Sequence, residues 1–87
     1  MRIVPGKQYI KSYRKLPPKS RDAVDKALRV FVADPFAPSL RNHPLKGEWA
    51  GVRSIDAGFD MRILYTDESD HTVVLLVDVG THSQLYG

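Results

Sequence analysis

Three β-prone runs, GVRSIDA, DMRILYT and HTVVLLVDV, close the chain, and they follow one another through AGFD and DESD. Links that short allow only hairpin turns, because a parallel pair needs a crossover of a dozen or more residues. The second half is therefore expected to be an antiparallel meander, with His71 at the start of its last strand. The first half must cover one face of it. Val24, Ala27, Leu28, Phe31 and Val32 fall at i, i+3, i+4, i+7 and i+8, which predicts a helix ending at Asp34-Pro35. Tyr9, Ile10 and Tyr13 share helical spacing between Lys7 and Leu16, and LPPKS separates this shorter helix from the longer one. MRIV is a short β-prone start, while FAPSLRNHPLKGEWAG is a loop by composition. The expected layout is β-α-α-β-β-β, an α+β fold with a two-helix hairpin packed on a mainly antiparallel four-stranded sheet. At 87 residues this is one domain, 1–87.

The composition narrows the chemistry. With no cysteine, neither a disulfide framework nor a thiolate-bound zinc is available. No apolar run approaches the ~20 residues that span a bilayer, and Pro5, Gly6 and Lys7 interrupt any signal-peptide layout. No membrane association and a cytoplasmic location are expected. The net charge of +3 is unevenly spread: residues 1–33 hold nine Lys/Arg against two Asp, and residues 34–87 hold four against eight acids. A basic half of this kind suits a phosphate backbone or an acidic protein, or is simply a pair of solvated helix faces.

Ionisable residues gather around the turns and the end of the last strand. If Ala57-Gly58-Phe59 form a three-residue loop, Asp56 and Asp60 oppose each other across the hairpin. Carboxylates that close share a proton and furnish an acid or base. Otherwise Arg53 or Arg62 neutralises them, or a longer loop lets them diverge. His82 follows the last strand, and histidine is the side chain that gives or takes a proton near neutrality. His43 lies in the Pro/Gly loop. Mid-strand Arg53 and Arg62 suit bidentate binding of a phosphate, or pairing with the nearby aspartates. Trp49 reads as core or as a loop anchor, and Tyr86 as a packing residue or a platform for a base. No two candidate ligands stand at a tight metal-binding spacing, and neither a phosphate-binding Gly-rich loop nor a GxSxG elbow is present. No cofactor and no metal are expected.

The block NHPLKGEWAGVRSIDAGFDMRILY, together with VGTHSQLYG after an apolar strand, resembles the RelE/ParE superfamily of bacterial toxins and is most similar to its YafQ branch. The order of elements is also that superfamily's, so the likeness spans nearly the whole chain and is sharpest at residues 42–65 and 79–87. The resemblance implies the toxin of a type II toxin–antitoxin module, a ribosome-dependent endoribonuclease that cuts mRNA without a metal, using the substrate 2′-hydroxyl as nucleophile. Its implied partners are a cognate antitoxin, in a toxin–antitoxin hetero-oligomer, and the ribosome with its mRNA. His82 matches the branch's C-terminal catalytic His, Tyr86 the aromatic after it, His43 the His of the HPL loop, and Asp60 the Asp that opens the next strand.

Two positions depart from the pattern. Asp56 stands where the YafQ branch has a second His, and Ser54 where it has an acid. Arg62, in turn, is similar to a mid-strand, phosphate-contacting Arg of the RelE branch. The implied mechanism has Asp60, coupled to Asp56, or else His43 taking the 2′-OH proton, and His82 protonating the leaving oxygen. Arg62, Arg53 and Lys46 hold the phosphate, and Tyr86 stacks on or orients the nucleotide. The rival readings are a ParE-type toxin that poisons gyrase and a non-catalytic relative that only binds its antitoxin.

Overall fold

The strand nearest the N-terminus pairs with the last one. In a computed structural model describing residues 1–68, 70 and 72–86, β1 (Arg2–Pro5) runs parallel to β5 (Val73–Thr81), with Arg2 beside Val73 and Pro5 beside Leu76. The rest of the sheet is antiparallel: β5 pairs with β4 (Met61–Asp67), β4 with β3 (Arg53–Asp56), and β3 with β2 (His43–Pro44). The spatial order is β1-β5-β4-β3-β2. The α+β layout and the meander are as expected, but the sheet has five strands, not four. The extra one is only His43-Pro44, inside the expected loop. Proline cannot donate to a ladder, so an edge is where such a strand can sit. The expected strand start at His71 lies outside the described residues.

Gly6 makes the turn from β1 into the first helix possible. Its N–H donates to the Leu76 carbonyl at 2.8 Å, and a Cβ there would lie 2.7 Å from that same oxygen. Gly6→Ala must therefore push β1 off β5 or break this bond. A loss of roughly 2 kcal/mol or more is expected, read from the urea midpoint; an unchanged midpoint would contradict the geometry.

Helix α1 (Lys7–Arg14) buries Tyr9 and packs Ile10 and Tyr13 against the core. Its two tyrosine rings stack with centroids 5.8 Å apart. Burial pushes the Tyr9 hydroxyl upward, and the hydrogen bond donated to Asp25 does the same for Tyr13, so both remain neutral phenols. Helix α2 (Pro18–Ala33) opens on a proline, which is tolerated where the N–H has no helical partner anyway. It buries Val24, Ala27 and Phe31. Val32, expected on the same stripe, is instead 52% exposed: eight residues after Val24, it has rotated past the stripe's edge.

Phe31 meets Tyr65 of β4 edge-on, with ring centroids 4.9 Å apart, at the middle of the core. The Tyr65 hydroxyl accepts from Asn42 Nδ2 at 2.7 Å, and that amide also donates to the Pro35 carbonyl at 2.8 Å. One asparagine thus fastens the 35–42 loop to the sheet, and with it His43. Among the described residues no helix is long and apolar enough to cross a membrane.

Candidate active site

Strand pleating sorts the expected site residues by face, since partners across a ladder point the same way. Arg62 is beside Asp56, Ser54 beside Leu64 and His43 beside Ser54, so these belong to one face. Arg53 is beside Tyr65 and belongs to the helix-covered face. There its Nε donates to Asn42 Oδ1 at 2.9 Å and its guanidinium lies 5.5 Å from the Phe36 ring centroid. The pairing of Arg53 with Arg62 around one phosphate is not what the fold builds. Arg53 instead braces the loop that carries His43.

Of the alternatives open for Asp56, a meeting with Asp60 does not occur and neutralisation by Arg62 does. Ala57 N–H donates to the Met61 carbonyl at 2.9 Å, so the turn runs from Ala57 to Met61 and places Arg62 opposite Asp56. Asp60 is left exposed in the turn. Both oxygens of Asp56 are engaged: Oδ1 by Arg62 Nε at 3.1 Å and Oδ2 by Arg41 Nε at 2.6 Å. The carboxylate therefore holds two cations. Arg62 also donates from one terminal nitrogen to the Met61 carbonyl at 3.0 Å, which fixes its plane while leaving donors to spare.

Arg41 is the site residue that sequence reasoning missed. It adopts a left-handed backbone, φ 45°, which is uncommon for a side chain other than Gly or Asn. In that conformation its carbonyl reaches His43 Nδ1 at 2.8 Å while its guanidinium reaches Asp56. A carbonyl only accepts, so Nδ1 carries the proton, and in the neutral ring Nε2 keeps its lone pair. Nothing local in RNHPL announces this, because positive φ is usually signalled by glycine.

Beyond Thr81 the structure adds an element that the expected layout lacks. His82–Tyr86 form a short helix, α3. Thr81 N–H donates to Gln84 Oε1 at 2.8 Å, and Gln84 N–H donates to Thr81 Oγ1 at 3.2 Å. This reciprocal pair is a capping box, and its Thr-x-x-Gln signature was in the sequence to be read. One helical turn places the His82 and Tyr86 rings 4.8 Å apart, and Tyr86 in turn meets Trp49 edge-on at 6.2 Å. Trp49 is thus a loop anchor, tying the 46–52 loop to α3. A five-residue helix is marginal alone, so Thr81→Val should cost about 1 kcal/mol locally. Faster amide exchange at residues 83–86, with β4 and β5 unaffected, is the expected result; unchanged exchange would mean that packing alone holds α3.

His82 follows Thr81, and Thr81 is paired with Met61, which Asp60 precedes. Asp60 and His82 thus flank the last rung of the β4–β5 ladder, and Arg62 stands one rung in. Lys46 is exposed in the loop leading to Trp49. Ser54 is 1% exposed and its hydroxyl has no hydrogen-bond partner. The register thus gathers a guanidinium, a carboxylate and an imidazole, those of Arg62, Asp60 and His82, towards one end of the sheet, residue types suited to binding a phosphate and moving a proton.

Solved structures that share this fold include bacterial toxins. YafQ from E. coli strain BL21(DE3) superposes with a TM-score of 0.83 at 18% identity, over 100% of both chains. A YoeB/ParE toxin from Agrobacterium tumefaciens gives 0.77 at 20% identity, covering 94% of this chain and 99% of its own. The RelBE2 toxin–antitoxin complex from Mycobacterium tuberculosis gives 0.75 at 27%, covering 93% and 96%. No curated protein matches the sequence. Over residues 1–87 the chain matches the family described as bacterial toxin of type II toxin-antitoxin system, YafQ, and it belongs to that family.

Proposed function

We propose that this toxin is a ribosome-dependent mRNA endoribonuclease, acting in the cytoplasm and held inactive by a cognate antitoxin in a hetero-oligomer. The observation that supports this reading is the register that sets Arg62, anchored by Asp56, opposite Gly80, two residues before His82 on its capped helix. His43 Nε2 takes the proton of a 2′-hydroxyl, the 2′-oxygen attacks the adjacent phosphorus, and the bond to the 5′-oxygen breaks. His82 protonates that oxygen, leaving a 2′,3′-cyclic phosphate and a 5′-hydroxyl end. Arg62 and Lys46 neutralise charge gathering on the phosphate, and Asp56 acts by positioning Arg62. Tyr86, braced by Trp49, orients the nucleotide. Asp60, exposed beside the last rung, is the alternative base; comparing His43→Ala with Asp60→Asn separates the two.

The basic helices suit contact with ribosomal RNA, which predicts a salt-sensitive association. The antitoxin complex solved for the mycobacterial relative supports an antitoxin partner here. The deciding experiment is primer extension on mRNA after inducing the chain alone, beside a His82→Ala control. Discrete cuts that need ribosomes and vanish in the control are expected. Arrested growth with intact mRNA would favour a ParE-type target, and normal growth with intact mRNA a site without chemistry.

A further inference from the structure

Phe59 is 101% exposed, and among the described residues it is the one aromatic side chain that the fold leaves wholly uncovered. The turn beneath it is firmly held. Ala57 and Met61, on either side of the tip, are both buried, and the Ala57 N–H donates to the Met61 carbonyl. Gly58, at φ 82°, brings the backbone close enough to α2 that a Cβ there would lie 3.5 Å from that of Ala23. The frame thus fixes where Phe59 sits, and it sits in water. A turn of this kind is served better by Asn, Asp, Gly or Ser, so the fold gains nothing from this ring.

Its neighbours indicate what does gain. Phe59 directly precedes Asp60 and stands three residues before Arg62, at the end of the sheet where Thr81 hands over to His82. Its chain neighbours are Gly58 and Asp60, and Arg62 follows on the next strand. An exposed flat ring in a strand-end turn that precedes such a guanidinium is a suitable platform for an unpaired base. We propose that Phe59 is a substrate-positioning residue, its ring stacking on an unpaired base of the RNA strand next to the scissile phosphate. This rests on the ribonuclease reading above. Phe59 and Tyr86 then flank the phosphate site from two elements, the β3–β4 turn and α3.

The test measures kcat and KM for cleavage of a defined mRNA on programmed ribosomes. Wild type, His82→Ala, Phe59→Ala, Phe59→Leu and Phe59→Trp are compared. Phe59→Ala should raise KM roughly 5–150-fold with kcat little changed, the signature of lost ground-state binding. Phe59→Trp should restore it and Phe59→Leu should not. An unchanged KM in Phe59→Ala, whatever happens to kcat, overturns the proposal. Full rescue by Phe59→Leu also overturns it, because an apolar protein contact needs no π-face. Cleavage by wild type that is abolished in His82→Ala but indifferent to Phe59 fails this inference alone. Intact mRNA with wild type fails the ribonuclease reading and this inference together.

Discussion

Purified His82→Ala protein should cleave ribosome-bound mRNA about 10²–10⁴-fold more slowly than the parent, the usual contribution of one general acid or base. The size of the effect follows from the leaving group: an alkoxide expelled without a proton is a poor one, and no other imidazole lies in α3. The variant should also fold normally. His82 is exposed, and the capping box that holds α3 uses Thr81 and Gln84, not the His82 side chain. Single-turnover rates with matched circular dichroism test this, and equal rates would remove His82 from the mechanism. Because Tyr86 leans on His82, Tyr86→Ala should also slow cleavage, but by raising KM as well as lowering kcat.

Phe31→Ala should cost about 3–5 kcal/mol, as expected for emptying an aromatic site in a packed core. Phe31 is 1% exposed and its edge contact with Tyr65 joins α2 to the middle of the sheet. Small domains hold only ~0.05–0.15 kcal/mol per residue in reserve, so this single change removes a large share of the stability. Urea titration followed by far-UV circular dichroism measures it, with Phe59→Ala as the uncovered-ring control that should leave the midpoint alone. A loss below about 1 kcal/mol would mean that the Phe31 site collapses around the gap.

The large elements were legible because each carries a repeated signal. Helix α2 repeats its apolar stripe from Val24 to Phe31, over about two turns, and the meander declares itself through short turns between β-branched runs. What escaped was short or depended on parity. His43-Pro44 is too brief to show an alternation, and its pairing exists because β3 offers an open edge. Helix α3 is one turn long, so only its Thr81-Gln84 capping box could have revealed it. The face assignments were harder still. Asp56 lies opposite Arg62 because the turn closes on Ala57 and Met61, and only a two-residue change of register would have faced it to Asp60. Alternation along β3 sends Arg53 to the covered side. His82 and Asp60 drew attention by their places after a strand and in a turn, His43 and Tyr86 chiefly through the resemblance; the His43 tautomer, the anchoring of Arg62 and the ring contacts of Tyr86 could not be read.

The parallel pairing of β1 with β5 also has a bearing on timing. Synthesis runs from the N-terminus, so residues 2–5 exist long before residues 73–76, their only ladder partners among the described residues. Until β5 has been made, β1 has nothing to pair with, β4 lacks one neighbour, and α3 with His82 does not exist. A partly translated chain therefore carries the basic helices but neither β5 nor α3, and β1 can pair only by closing a loop almost as long as the domain itself.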